Sequence, residues 1–110
     1  MPIQLSHPEL DAVELDAVYA ALADRHRRRV VVQLAAEPER EMACSSLEVP
    51  GAKSTRSYHW KVLREAGLII QRSTGTGMLL QLRGEFEERF PGLLDNLLQL
   101  ERERPRSGTS

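Results

Sequence analysis

The sequence predicts a mainly α-helical single domain carrying one β-hairpin, and three observations lead there. Apolar residues recur at helical spacing through 8–24, 25–36, 53–66 and 85–103. Two short runs, 68–72 and 78–82, instead read as strands around the glycine-bearing reversal Ser73-Thr74-Gly75-Thr76-Gly77. A length of 110 residues leaves room for one compact domain, expected over 1–104, and none for a second.

The first helix is expected over 8–24, where Leu10, Val13, Ala17, Val18, Ala21 and Leu22 form the apolar stripe and acidic residues come early, as the helix dipole favours. Asp24 is placed to cap a second helix over 25–36, with Val30, Val31, Leu34 and Ala35 inward and Pro38 beyond its end. Arg27, Arg28 and Arg29 stand near its start, where the dipole does not favour cations. A phosphate contact and a packing or ion-pair role are both open for them. A short helix is expected over 42–48, then a turn at Pro50-Gly51. The helix over 53–66 turns Trp60, Leu63 and Ala66 to one side and stops at Gly67. After the hairpin, Phe86, Phe90, Leu93, Leu94, Leu97, Leu98 and Leu100 make the stripe of a helix over 85–103, with Pro91 tolerable only at a break or a new first turn. Residues 105–110 are expected to be a disordered tail.

The formal net charge of −1 hides a strong asymmetry. Residues 1–24 carry five carboxylates and no Lys or Arg, whereas 52–83 carry Lys53, Arg56, Lys61, Arg64, Arg72 and Arg83 against Glu65 alone. Local fields decide polyanion affinity, so the basic block is where a nucleic acid would dock. The single cysteine, Cys44, closes no intrachain disulfide, and no secretion-type leader is evident. No apolar run approaches the roughly 20 residues of a membrane span, so a cytoplasmic protein without membrane contact is expected. There is no nucleophile elbow, P-loop, HExxH or paired-cysteine motif, which argues against an enzyme.

Helix, turn, helix and then hairpin is the order of a winged helix-turn-helix. The second helix of that unit fits the DNA major groove, the first braces it across the backbone, and the hairpin forms the wing. On the reading helix, Lys53, Ser54, Thr55, Arg56, Ser57, Tyr58 and Lys61 supply groups suited to bases and phosphates; Arg72 and Thr74 would do so from the wing. Leu10 and Val13 near the N-terminus, with Phe90, Leu93, Leu94, Leu97 and Leu98, are the expected dimer contacts through the terminal helices. The expected partners are double-stranded DNA and a second copy of the chain. The competing readings are a solvated charged face and a protein-interaction module that keeps the winged fold and meets a protein co-regulator.

The run from Lys53 to Ile69, KSTRSYHWKVLREAGLI, resembles the recognition-helix signature of the arsenic-repressor-like (ArsR/SmtB) transcriptional regulators. The resemblance extends upstream to Ala20-Ala21-Leu22-Ala23-Asp24 and downstream to Arg89-Phe90-Pro91-Gly92-Leu93-Leu94-Asp95. It implies a homodimeric, sequence-specific repressor with two recognition helices in successive major grooves, often responsive to an effector. Three positions depart from the pattern: His26 stands where proline is common, Ala52 replaces a frequent N-cap serine, and Arg56 occupies a usually apolar position. The cysteine pairs and C-terminal Asp/His/Glu sets by which relatives sense metals are not visible. A nickel- or zinc-responsive variant would have to use His7, Glu9, Asp11 and Asp16, with His26 and Glu14 behind them. His7-Pro8-Glu9 reads equally well as a helix entry, and His59 reads as packed or near phosphate rather than as a ligand.

Overall fold

A computed structural model describes residues 5–103, so the tail expected at 105–110 lies outside the described residues. A 3-10 turn at Leu10–Ala12 leads into α1 (Leu15–Leu22) and α2 (Arg25–Ala36). Strand β1 (Met42–Ala43) and a second 3-10 turn at Cys44–Ser46 precede α3 (Lys53–Glu65). The hairpin of β2 (Ile69–Ser73) and β3 (Met78–Leu82) is followed by α4 (Phe86–Arg89) and α5 (Leu93–Glu103).

Helix α2 begins where Asp24, in extended conformation, accepts bonds from the amides of His26 and Arg27 at 2.9 and 3.0 Å. Its residues Val30, Val31 and Leu34 are wholly buried, together with Val18 and Ala21 of α1 and Leu63 of α3. Helix α3 ends in a Schellman arrangement: Leu68 N–H bonds to the Leu63 carbonyl and Gly67 N–H to that of Arg64. Gly67 has φ +77°, and a Cβ there would lie 2.7 Å from Leu10 Cδ2. Both the backbone conformation and the space therefore demand glycine.

The sheet is antiparallel in the order β1-β3-β2. Gln71 pairs with Leu80 across the hairpin, and Met42 pairs with Leu80 on the other side. Ile69 and Leu80 close the core from the sheet side.

Three expected elements differ. The helix predicted over 8–24 is broken: Val13 and Glu14 are extended, and only Leu15–Leu22 is α-helical. Packing overrides periodicity here, because Leu10 and Val13 fold onto Gly67, and Arg89 donates to the carbonyls of Leu10 and Val13. The helix expected over 42–48 is absent. Met42 and Ala43 pair with β3 instead, Ser46 Oγ closes the 3-10 turn on the Ala43 carbonyl, and Pro50 disfavours helical geometry at Val49. The C-terminal helix is two pieces, because Phe90 before proline takes φ −130° and Gly92 has φ +85°. That break lets Phe86 and Phe90 both enter the core with ring centroids 5.1 Å apart. No helix among the described residues is long and apolar enough to cross a membrane.

Candidate nucleic-acid interface

Helix α3 has two chemically distinct sides because its apolar residues fall at one angular position. His59, Trp60 and Leu63 are buried and anchor it, with Ala66 beneath its end. Ser54, Ser57, Tyr58 and Lys61 recur at i+3 and i+4 spacing on the side facing away, with Lys53 and Thr55 also exposed. Tyr58 is 60% exposed although it is a large aromatic. Its ring has no core role to fill, and its hydroxyl is available to an outside partner. Ala52 supplies no side-chain cap, so the first amides of α3 lack the partner that an N-cap side chain would give them.

Arg56 is the exception on this helix. It is half-buried, on the flank toward Trp60, and lines a cleft of about 660 Å³ between α3 and the hairpin with Lys53, Ser57, Ser73 and Thr74. Its Nε is out of solvent without a hydrogen-bond partner among the described residues. An arginine at a position the resemblance leads one to expect apolar thus lays its stem against the helix–wing seam.

The wing is tied down more tightly than its charge suggests. Arg72 makes a two-pronged pair with Glu41, at 2.8 and 2.9 Å. That hydrogen bond, more than the charges themselves, holds the Glu41 carboxyl below its ordinary pKa and raises that of Arg72. Thr74 is exposed, but its Oγ1 accepts from Gly77 N–H and Ser73 Oγ accepts from Gly75 N–H, so both of these glycine amides serve the turn itself.

Two other cations of the basic block are structural. Arg64 donates to Oε1 of the buried Gln71, and Arg83 donates to the Pro8 carbonyl at 2.9 Å. Arg27 and Arg28 resolve toward packing. Arg27 donates to the carbonyls of Ala20 and Ala21, and Arg28 to that of Leu22, so α2 supplies the cations that the last turn of α1 lacks. Arg28 also pairs with Glu101 at 3.5 Å. Arg29 remains exposed.

Beneath α3, His59 is only 7% exposed, and its Nδ1 lies 3.1 Å from Arg27 Nη1. A guanidinium has donors only, so Nδ1 must accept and the ring proton sits on Nε2. Burial lowers the His59 pKa, and the charges of Arg27 and His26 push it the same way against the opposing pull of Asp24. Neither Glu41 nor the Arg27–His59 bond was legible in sequence, because each partner lies about thirty residues away with no periodic relation to it.

The residues considered as metal ligands do not converge: among the described residues no three His, Cys, Asp or Glu side chains form a set that could hold an ion. His7 Nε2 accepts from Gln71 N–H at 2.9 Å, on the free edge of β2, so one of its two possible ligand nitrogens is engaged. Burial, then Arg64 and Arg83, lower its pKa. Glu9, Asp11 and Asp16 are exposed, and His26 is half-buried. Of the residues considered for subunit contact, Val13, Phe90 and Leu94 are already covered within the protomer, while Leu10, Leu93, Leu97 and Leu98 are partly exposed. Leu15, Tyr19 and Leu100, 41, 59 and 59% exposed, rim a groove of about 620 Å³ between α1 and α5. The broken first helix turned Leu15 and Tyr19 to this face, which an unbroken 8–24 helix did not foreshadow.

A three-stranded sheet edged by a helix with an outward polar face defines a winged helix-turn-helix protein, with the brace helix reduced to a 3-10 turn. Among solved structures the fold is similar to an ArsR-like transcriptional regulator from Rhodococcus sp. RHA1, with a TM-score of 0.52 and 24% identity, covering 80% of this chain and 76% of that one. Among curated proteins, the chain is 32% identical over 83 residues to the uncharacterized HTH-type transcriptional regulator YceK of Bacillus subtilis (strain 168), spanning 73% of this chain and 82% of the relative. No family model matches. The chain belongs to the HTH-type transcriptional regulators, a family of regulators rather than enzymes, and has the fold of an ArsR-like one.

Proposed function

We propose that the chain is a homodimeric, sequence-specific double-stranded-DNA-binding regulator that inserts α3 into the major groove. The observation carrying this reading is the outward face of α3. Ser54, Ser57, Tyr58 and Lys61 are exposed in register on a helix anchored from behind by Trp60 and Leu63. Base edges are read by Tyr58 and the serines, and phosphates by Lys53 and Lys61. Arg56 reaches the groove from the flank, with Thr74 at the wing tip. A single domain spanning the described chain carries both functions. The exposed Leu15, Tyr19 and Leu100 between α1 and α5 support pairing with a second copy, which places two α3 helices about 34 Å apart on one side of the duplex.

Selection of bound duplexes from random DNA, followed by anisotropy titrations at several salt concentrations, tests the reading. The parent is expected to enrich an inverted repeat. Tyr58→Ala is expected to relax preference at one base position in each half-site, a change of about 1–3 kcal/mol. Lys61→Ala is expected to weaken binding to all sequences and reduce the salt slope by about 1. Failure to enrich any sequence contradicts the proposal and favours a protein-interaction role for the α1/α5 face.

A further inference from the structure

We propose that the Arg27–His59 hydrogen bond is a positioning clamp for α3 that opens when His59 is protonated, so that DNA recognition by this protein is sensitive to acid. The inference rests on the reading of α3 as the DNA-contacting helix. His59 and Arg27 are positioning residues, since neither lies on its outward face.

The geometry makes the clamp one-sided. Arg27 is fixed by α1, with Nε on the Ala21 carbonyl at 2.7 Å and Nη2 on that of Ala20 at 3.3 Å, which leaves Nη1 for His59 at 3.1 Å. One guanidinium therefore joins three of the helices: it grows from α2, holds the end of α1 and reaches α3. Protonating His59 turns Nδ1 from acceptor to donor, so a nitrogen bonded to a donor faces it with a hydrogen of its own. Two cations then face each other where the His59 ring is almost closed to water and Arg27 is half-buried.

The remaining groups around the ring relieve this only in part. The His26 ring is 6.3 Å away, and its Nδ1 is buried without a partner among the described residues. The Tyr58 ring, at 6.4 Å, carries no charge to offer. Asp24 is the one nearby anion among the described residues; its charge favours the protonated ring, but less than burial disfavours it, and its Oδ2 already accepts from the amides of His26 and Arg27. Arg27 keeps its two α1 carbonyls, so it is His59 that must move. His59 follows Tyr58 directly in the chain, so displacement of one shifts the aim of the other.

The burial that closes the site lowers the His59 pKa. The sign follows: a histidine held neutral on folding contributes stability that is complete above the ordinary value of 6.5 and is lost as pH falls through the lower folded-state value. Asn is the informative replacement, since its Oδ1 offers an acceptor near the position of Nδ1 and does not titrate.

The test has two arms. In the first, ring-nitrogen NMR of the parent without DNA is followed from pH 8 to pH 5. The expected spectrum at pH 8 has His59 protonated at Nε2 alone, with amide shifts in α3 that move together with its titration. A proton on Nδ1 at pH 8, or α3 amides indifferent to the titration, overturns the clamp whether or not the protein binds DNA. In the second, affinity for a selected duplex is measured over the same range for the parent and for His59→Asn, and the ratio of the two is read so that the general effect of added positive charge cancels. Parity at pH 8 and a loss of the parent's relative affinity that grows as pH falls toward 5 are expected. A ratio that stays constant with pH overturns the proposal. His59→Leu, which keeps bulk but removes the acceptor, is expected to bind weakly at every pH, and a His59→Leu protein matching the parent at pH 8 also overturns it. If the parent binds no DNA at any pH, the functional reading fails while the first arm still decides the clamp.

Discussion

Lys53 and Lys61 are exposed and make no ion pair among the described residues, whereas Arg72 on the wing is held by Glu41. The difference matters for phosphate binding. Counterion release rewards charge that is free to approach the backbone, and a guanidinium already paired with a carboxylate brings little net charge. Removing the acidic partner should therefore turn the wing into a stronger contact. Glu41→Gln is expected to tighten binding to all duplexes by several-fold and steepen its salt dependence. Arg72→Ala in that background is expected to abolish the gain, and anisotropy titrations at two ionic strengths read both effects. No change on Glu41→Gln would mean that the wing stays clear of the phosphates. The pair itself is exposed on the Arg72 side, so the thermal stability of Glu41→Gln should remain close to that of the parent.

Among the elements, Gly67 joins two that are distant in sequence. It ends α3, and Leu10 and Val13 rest on it, so the N-terminal segment and α3 meet at one residue without a side chain. Gly67→Ala is expected to lower stability by about 2 kcal/mol or more, since φ +77° is unfavourable for alanine and its Cβ would press on Leu10. Denaturant unfolding measures it, and an unchanged midpoint would mean that the N-terminal segment does not pack there. This junction also explains which elements were legible in advance. Helices α2 and α3 and strand β3 follow from local signals: the Asp24 cap, the stripe ending at Gly67 and the alternation of Met78, Leu80 and Leu82. The outward residues of α3 follow for the same reason, because a helix that buries Trp60 and Leu63 must expose Ser57 and Lys61. The misread elements are those whose conformation is decided by a remote partner. Val13 is extended because Arg89 takes its carbonyl, and Met42 is a strand because β3 has an open edge. Cap chemistry and periodicity carry no information about either.

At the scale of the whole molecule, the proposed function gives the charge asymmetry of the sequence two opposite uses. Within the basic block over 52–83, the residues without a side-chain hydrogen bond or ion pair among the described residues, Lys53, Arg56 and Lys61, all lie on α3, while the acidic first 24 residues supply α1, whose exposed Leu15 and Tyr19 border an apolar groove against α5. A protein with one face for a polyanion and another for its own copy needs these to be separate. Light scattering after gel filtration is expected to give the mass of two chains for the parent, and Tyr19→Glu is expected to shift it toward one chain while leaving the helical circular dichroism intact. A parent that runs as a monomer at micromolar concentration would remove the dimer from the account.

The most direct measurement is an amide NMR titration of the labelled protein with a duplex taken from selection. The account predicts that the largest shifts fall on 53–61, with smaller ones on 72–77, and that the amides of α1 and α5 stay in place. Shifts concentrated on α1 and α5, with the outward face of α3 unmoved, would contradict it.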